Sequence, residues 1–151
     1  MTPRDQAEAK MLCRKFSDEL EDFVMRRYRY VSKSVRPTMS NSIHIRRGPI
    51  SLSLRFRPLA KWPNDSIVIA TIEFGKQRKG HGTALLKFLA DTAPRYGVRS
   101  IGLEQTHDGD DIQGFVAKFG FESYESNRDW LVPLAVLQER LAAHVPPTTP
   151  I

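Results

Sequence analysis

The stretch that decides the fold is residues 66–83, Ser-Ile-Val-Ile-Ala-Thr-Ile-Glu-Phe-Gly-Lys-Gln-Arg-Lys-Gly-His-Gly-Thr. Its first half, Ser66–Phe74, is a nearly continuous apolar run, which is typical of a central strand covered on both faces. A glycine-rich segment, Gly75–Gly82, follows this strand. The spacing of the next apolar residues predicts a helix, and these residues are Leu85, Leu86, Leu89 and Ala90.

A strand that turns into a helix in this way creates an anion site. The first turn of a helix has unpaired backbone N–H groups and the positive end of the helix dipole. Gly80 and Gly82 lack the Cβ atoms that would keep a pyrophosphate at a distance. Arg78 and Lys79 add positive charge at the same place. The segment therefore predicts a phosphate-bearing ligand that is held mainly by the backbone.

Two common phosphate-binding patterns do not fit this segment. Gly75 and Gly80 have the Walker spacing, but His81 and Gly82 stand where that pattern needs Lys and Ser or Thr. The dinucleotide pattern lacks its third glycine after Gly82. The pattern that does fit is Gln-x-x-Gly-x-Gly over Gln77–Gly82. It resembles the acetyl-coenzyme A signature of the Gcn5-related N-acetyltransferases, the GNAT family.

The order of the elements downstream strengthens this resemblance. In the family the signature is followed by an amphipathic helix, a strand, a short helix and a Gly-Phe pair that begins another strand. The corresponding segments here are Thr83–Tyr96, Arg99–Thr106, Ile112–Phe119 and Gly120-Phe121. The resemblance covers roughly Ile67–Glu122.

The resemblance implies an α/β (α+β) fold, a single GNAT-like domain with a mixed, V-shaped sheet of about six to seven strands flanked by helices. It implies that the sheet is splayed open beside the Ser66–Phe74 strand. The pantetheine arm of acetyl-coenzyme A would pair with Ala70, Thr71 and Ile72. The rest of the cofactor-binding set would be Gln77, Arg78, Lys79, Gly80, His81, Gly82 and Thr83.

The implied activity is transfer of an acetyl group to a primary amine of a protein, peptide or small molecule. Two positions depart from the family pattern. Val116 stands where many members have a Tyr that protonates the leaving thiolate, and Gly109 stands where an Asn often begins the short helix. Tyr124 on the next strand is the remaining candidate acid, and the alternative is an ordinary half-buried strand tyrosine.

The best candidate for a general base is Glu104, which resembles by position the glutamate of the family's ribosomal-protein acetyltransferases. It interrupts an apolar strand, so burial could raise its pKa to a useful value. The alternative is a carboxylate at a strand edge that pairs with a nearby Arg. Glu73 is a second candidate base, and His107 is a candidate proton shuttle. His107-Asp108 is not a metal motif without further ligands, and we predict no metal site.

A second function stays open at this point. A degenerate member of the family would bind acetyl-coenzyme A, or nothing, and act as a regulatory or nucleic-acid-associated module. The missing Tyr and Asn favour this alternative, whereas the intact glycine turn favours an enzyme. The net charge of +6 permits an acidic or nucleic-acid partner but accompanies no nucleic-acid motif.

The 151 residues predict one domain, 1–144, and a proline-rich tail, 145–151. Within it we expect a long N-terminal helix, 3–35, an acetyl-coenzyme A-binding core, 66–122, and a last helix, Ala135–His144. A hairpin is expected at Ser42–Arg46 and Ile50–Phe56, and two strands, Phe121–Tyr124 and Trp130–Leu134, are expected around a turn at Ser126–Arg128. There is a single cysteine, Cys13, and there is no long apolar stretch, and both features favour a cytoplasmic protein. A homodimer is possible.

Overall fold

A computed structural model describes residues 3–28, 35–37, 42–47, 50–58, 61–73, 81–104, 110–124 and 126–143. The helices are α1 (Pro3–Tyr28), α2 (His81–Thr92), α3 (Asp110–Phe119) and α4 (Leu134–Ala143), and a 3-10 turn, Ala93–Tyr96, extends α2. The strands are β1 (Val35–Pro37), β2 (Ser42–Arg47), β3 (Ile50–Phe56), β4 (Ser66–Glu73), β5 (Ser100–Leu103), β6 (Glu122–Tyr124) and β7 (Ser126–Pro133). None of the helices described here is long and apolar enough to cross a membrane.

The seven strands form one sheet in the order β1-β2-β3-β4-β5-β7-β6. β4 and β5 pair in parallel, and the other neighbours pair antiparallel. The parallel pair exists because α2 carries the chain from the end of β4 back to the start of β5, as a parallel connection requires. The predicted α/β fold with a mixed sheet of six to seven strands is therefore confirmed.

The core lies between one face of the sheet and the helices. Ile43 and Ile45 of β2 and Leu52 and Leu54 of β3 alternate with polar residues and are buried, as the period of a strand dictates. Phe16 of α1 stacks on Phe56 with ring centroids 5.2 Å apart. The helices contribute to the same cluster, through residues that include Leu20, Leu85, Leu86, Leu89, Val116, Phe119 and Leu137.

The prediction for β4 is also confirmed where its side chains are described. Ile67, Val68 and Ile69 are all buried. Ile67 and Ile69 belong to the helix-side core. Val68 points to the opposite face, where Trp62 covers it beside Gly102. The run is apolar throughout because it is covered from both sides.

Two boundary predictions are wrong. A helix was expected over 3–35, but Val35 belongs to the strand Val35–Pro37, and the described helix is Pro3–Tyr28, with Arg26 and Arg27 in its last turn. Pro37 is tolerated there because β1 is the outermost strand on its side of the sheet. The expected turn at Ser126–Arg128 is the start of β7, and Ser126 pairs with Tyr124.

Candidate functional site

The parallel pairing between β4 and β5 is short. It joins Ser66–Ile69 to Ser100–Leu103, and the Glu104 amide then donates to the Ile69 carbonyl oxygen at 2.9 Å. β4 continues to Glu73, paired there with β3 alone among the described residues. A strand without a neighbour presents a row of unpaired N–H and C=O groups. Among the described residues, no strand pairs with the β5-facing edge of 70–73.

The opening coincides with an irregularity in β4. Ser53 pairs with Thr71 and the next residue, Leu54, pairs with Ile69, so Ala70 is one extra residue on β4. A bulge of this kind bends its strand and increases the local twist. Ala70 directly follows Ile69, the last residue of β4 that pairs with β5. The bulge thus lies where β4 leaves β5, and the position agrees with a sheet that opens at this point.

The predicted cofactor-binding residues fall into three groups. Ala70, Thr71 and Ile72 lie on the stretch of β4 that, within the described residues, adjoins β3 but not β5. His81, Gly82 and Thr83 form the N-terminal turn of α2, which is the positive end of a twelve-residue helix. The remaining four, Gln77, Arg78, Lys79 and Gly80, lie outside the described residues, as do Gly109 and His107 and the side chain of Glu73.

Gly82 has a structural reason to be glycine that the motif did not reveal. A Cβ atom built at Gly82 would lie 3.2 Å from Cε2 of Phe115 on α3. The missing side chain therefore lets α2 and α3 approach each other closely. Phe115 in turn contacts Phe119 edge-on, with ring centroids 5.1 Å apart.

Glu104 lies at the point where β4 and β5 separate, and its carboxylate is paired. Arg55 Nε of β3 donates to Glu104 Oε2 at 2.9 Å, and Lys61 Nζ lies 3.7 Å from Oε1. The side chain of Glu104 is 12 % exposed. The alternative expectation, a strand-edge carboxylate paired with an Arg, describes these contacts. The two carboxylate oxygens thus face different cations, Oε2 the Arg55 guanidinium at hydrogen-bond distance and Oε1 the Lys61 ammonium at ion-pair distance.

Sequence reasoning missed the two residues next to Glu104. Lys61 lies in the loop between β3 and β4, and Asp129 lies on β7. Lys61 Nζ is 3.0 Å from Asp129 Oδ2, and the Asp129 side chain is 4 % exposed. The hydrogen bond to Asp129 is the main cause that raises the pKa of Lys61 above its usual value. The sequence signal for Asp129 was the alternation of strand residues, which puts Asp129 and Leu131 on one face of β7 and Trp130 and Val132 on the other.

Tyr124 joins the same cluster through the loop. Its hydroxyl donates to the Lys61 carbonyl oxygen at 3.0 Å, and its ring stacks on Trp62 with centroids 4.9 Å apart. The tyrosine is half-buried, as its alternative interpretation expected. Its hydroxyl proton is directed at a backbone carbonyl oxygen of the residue whose ammonium pairs with Glu104. Its role as an acid stays a prediction.

Val116 is 3 % exposed and belongs to the core. A side chain at this position cannot exchange protons with a ligand. Its surroundings are apolar, with Phe119 and Phe121 in the same buried cluster. If chemistry occurs in this fold, the proton for the leaving group must come from another residue or from water.

Comparison with known proteins gives likenesses in three-dimensional structure only. No family model and no curated protein matches the sequence. The anti-CRISPR protein AcrVA5 aligns with 61 % of this chain and 98 % of its own, at 21 % identity and a TM-score of 0.45.

Two further solved structures that align are named as acetyltransferases. An acetyltransferase of the GNAT family from Staphylococcus aureus Mu50 covers 80 % of this chain and 94 % of its own, at 16 % identity and a TM-score of 0.46. The PaiA N-acetyltransferase from Thermoplasma acidophilum, in complex with coenzyme A, covers 76 % and 67 %, at 12 % identity and a TM-score of 0.43. The structural neighbours of this chain thus include GNAT-family acetyltransferases, at low identity.

Proposed function

We propose that this chain is an acyltransferase that transfers the acetyl group of acetyl-coenzyme A to a primary amine. The observation that carries the proposal is the separation of β4 from β5 after Ile69 and Leu103. Along the chain, β4 is followed by α2, and the Gln77–Gly82 motif ends at the N-terminus of this helix. An extended amide-bearing arm suits the strand edge, and a pyrophosphate suits the helix terminus.

Acetyl-coenzyme A would supply an activated thioester whose sulfur is a tolerable leaving group. The chain has to place an amine beside it, remove a proton from the ammonium and keep competing water away. Positioning alone can supply about 7 kcal/mol or more of the barrier reduction. A site without the usual Tyr can therefore still turn over, with Tyr124 or water protonating the thiolate.

Glu104 is the residue that we assign to the proton transfer from the acceptor. It stands where the strands separate, and its Oε1 keeps a lone pair while Arg55 holds Oε2. Arg55 fixes the orientation of the carboxylate without covering the second oxygen. General base catalysis of this kind typically contributes a factor of about 10² to 10⁴.

Exchange of Glu104 for Gln tests the assignment. Glu104→Gln should lower kcat/KM for thiol release about 10-fold or more, while the affinity for acetyl-coenzyme A stays the same. The matched control is Glu122→Gln, which removes an exposed carboxylate from β6. Full activity of Glu104→Gln together with loss of activity in Tyr124→Phe would contradict the assignment of Glu104 as the essential residue and would point to Tyr124 instead.

A second candidate function is supported by Val116, whose burial in the core leaves no proton donor at that position. In this alternative the domain binds acetyl-coenzyme A without transferring its acetyl group. Binding without thiol release above the hydrolysis background, across a broad panel of amines, would favour the binding module over the enzyme.

A further inference from the structure

The ammonium group of Lys61 forms ion pairs with two carboxylates. Its Nζ lies 3.0 Å from Asp129 Oδ2 and 3.7 Å from Glu104 Oε1. The two acidic residues come from different strands, β5's end and β7, and both are largely buried, at 12 % and 4 % side-chain exposure. The group that lies between these two carboxylates is therefore an alkylammonium, the end of the Lys61 side chain.

Lys61 is the outermost member of this cluster. Its side chain is 41 % exposed, so it lies between solvent and the two carboxylates. It belongs to a loop rather than to a strand, and only the lysine end of these ion pairs is exposed to solvent, so this ammonium can be hydrated when it leaves the carboxylates. Its ammonium can therefore move away while Glu104 and Asp129 stay in place on the sheet.

The backbone at Lys61 is held in an unusual conformation. Its φ is 71°, a left-handed geometry that is uncommon outside glycine. The residue is kept there by the hydrogen bond from Tyr124 to its carbonyl oxygen and by the ion pair with Asp129. Such local strain persists only where the surroundings enforce it, and it is found often at ligand-binding sites.

The position of the cluster connects it with the proposed reaction. The Glu104 amide bonds to Ile69 at the last link that the described residues form between β4 and β5, where the thioester would lie if the proposed function is correct. An acceptor amine that approaches Oε1 of Glu104 competes there with the ammonium of Lys61. An incoming ammonium can replace it without leaving either carboxylate unpaired, which matters because an unpaired buried charge is costly.

We propose that Glu104 and Asp129 form the subsite for the acceptor's ammonium group, and that Lys61 occupies this subsite until the acceptor displaces it. The acceptor class is an unhindered primary alkylammonium, such as a lysine side chain or an aliphatic amine. The inference of an acceptor role rests on the proposed function. Binding of the ammonium group does not, because it involves residues of this cluster alone.

In the transfer step the ammonium first gives one proton to Glu104 Oε1. The amine nitrogen then forms a bond to the thioester carbon, and the carbon–sulfur bond breaks. The electron pair of that bond leaves on the thiolate, which takes a proton from Tyr124 or water. The acylated nitrogen releases its second proton to water, from which the group that protonated the thiolate is restored. The products are the N-acetylated amine and the free thiol.

The binding claim is tested without cofactor, by thermal unfolding of Lys61→Ala. We expect n-butylammonium chloride to raise the Tm of this variant more than equimolar sodium chloride does. Tetramethylammonium, which has the charge but no N–H donor, should have no such effect. The wild type and the matched surface variant Lys87→Ala should respond less, because Lys61 still occupies the subsite in both.

A second variant keeps the test decisive. In Lys61→Ala combined with Glu104→Gln, the effect of n-butylammonium should fall to that of sodium chloride. Equal responses in wild type and Lys61→Ala, or an unchanged response after Glu104→Gln, would overturn the subsite. If Lys61→Ala does not fold, Lys61→Ser is measured against the same expectations.

A kinetic measurement tests the acceptor role separately. With acetyl-coenzyme A present, Lys61→Ala should show a KM for n-butylamine about two- to fivefold lower than wild type, since the competing pair is gone. An unchanged or higher KM would contradict the acceptor role. Absence of thiol release in every variant, together with the expected Tm response, would remove the proposed enzyme function and leave the ammonium subsite.

Discussion

The amide of Glu104 donates a hydrogen bond to the carbonyl of Ile69 at 2.9 Å, and this is the last link between β4 and β5 in the described part of the chain. One residue later Ala70 forms the bulge in β4. The carboxylate of Glu104 therefore lies next to the end of the β4–β5 pairing and next to the bulge. Glu104, the candidate base, is thus next to residues 70–72 of β4, the candidate binding edge for the pantetheine arm.

The close contact of Gly82 with Phe115 predicts a stability effect. Gly82→Val should lower the free energy of unfolding by about 1–2 kcal/mol, because the added side chain meets the Phe115 ring at the α2–α3 contact. Urea unfolding measures the change. In a Phe115→Ala background the same substitution should cost much less. Additive effects of the two changes would show that the residues do not interact.

Gly102 makes a comparable prediction on the opposite face of the sheet. A Cβ atom there would lie 2.8 Å from Cζ3 of Trp62 and 3.2 Å from Cγ2 of Val68. Gly102→Ala should therefore displace the Trp62 ring from its stack on Tyr124 and destabilise the fold by about 1–3 kcal/mol. Unfolding in urea provides the value. The variant Gly114→Ala is the control, because its Cβ would meet nothing within 4 Å, and an equal loss in both would refute the packing explanation.

Tyr96 predicts a fall in stability at alkaline pH. Burial, followed by its hydrogen bond to Glu19, raises the pKa of Tyr96 to about 12. In the unfolded chain this hydroxyl loses its proton near pH 10. Between about pH 10 and pH 12 the unfolded state therefore binds fewer protons, and the free energy of unfolding falls as the pH rises. The loss amounts to about 2–3 kcal/mol at most.

The substitution Tyr96→Phe isolates this contribution, since it keeps the ring that packs edge-on against Phe16. Urea unfolding at a series of pH values from 9 upward should show a shallower decline than in wild type. Some decline remains, because the raised pKa of Lys61 gives its pair with Asp129 a stabilisation that is also lost as the pH rises through that pKa. Identical slopes in both proteins would contradict the assignment to Tyr96.

Local patterns were sufficient for most of the fold. The apolar run of β4, the alternation in β2 and β3 and the positive φ of 71° at Gly97 each have a direct local cause. β1 was missed because three residues ending in Pro37 carry no periodicity and resemble the end of a helix. The Ser126–Arg128 segment was misassigned because its polar residues are typical of turns, whereas pairing with β6 makes them a strand.

The part of the candidate site that the sequence predicts is also the part with a local pattern. Glu104 is visible in the sequence because it interrupts an apolar strand, and Gln77–Gly82 because a motif has fixed spacing. The partners Lys61 and Asp129 are 68 positions apart and meet only through the order of the strands. Long-range ion pairs of this kind leave no periodic signal in one sequence. Their contact with Glu104 required the sheet topology.

Calorimetric titration with acetyl-coenzyme A tests the central claim most directly. We predict saturable binding with a Kd in the range typical of enzyme substrates, roughly 1 μM to 1 mM, and loss of this binding in Gly80→Val, where a side chain would obstruct the phosphate-binding backbone. Gly114→Val, on the exposed part of α3, is the matched control and should bind normally. Absence of binding by the wild-type protein at millimolar acetyl-coenzyme A would contradict the account.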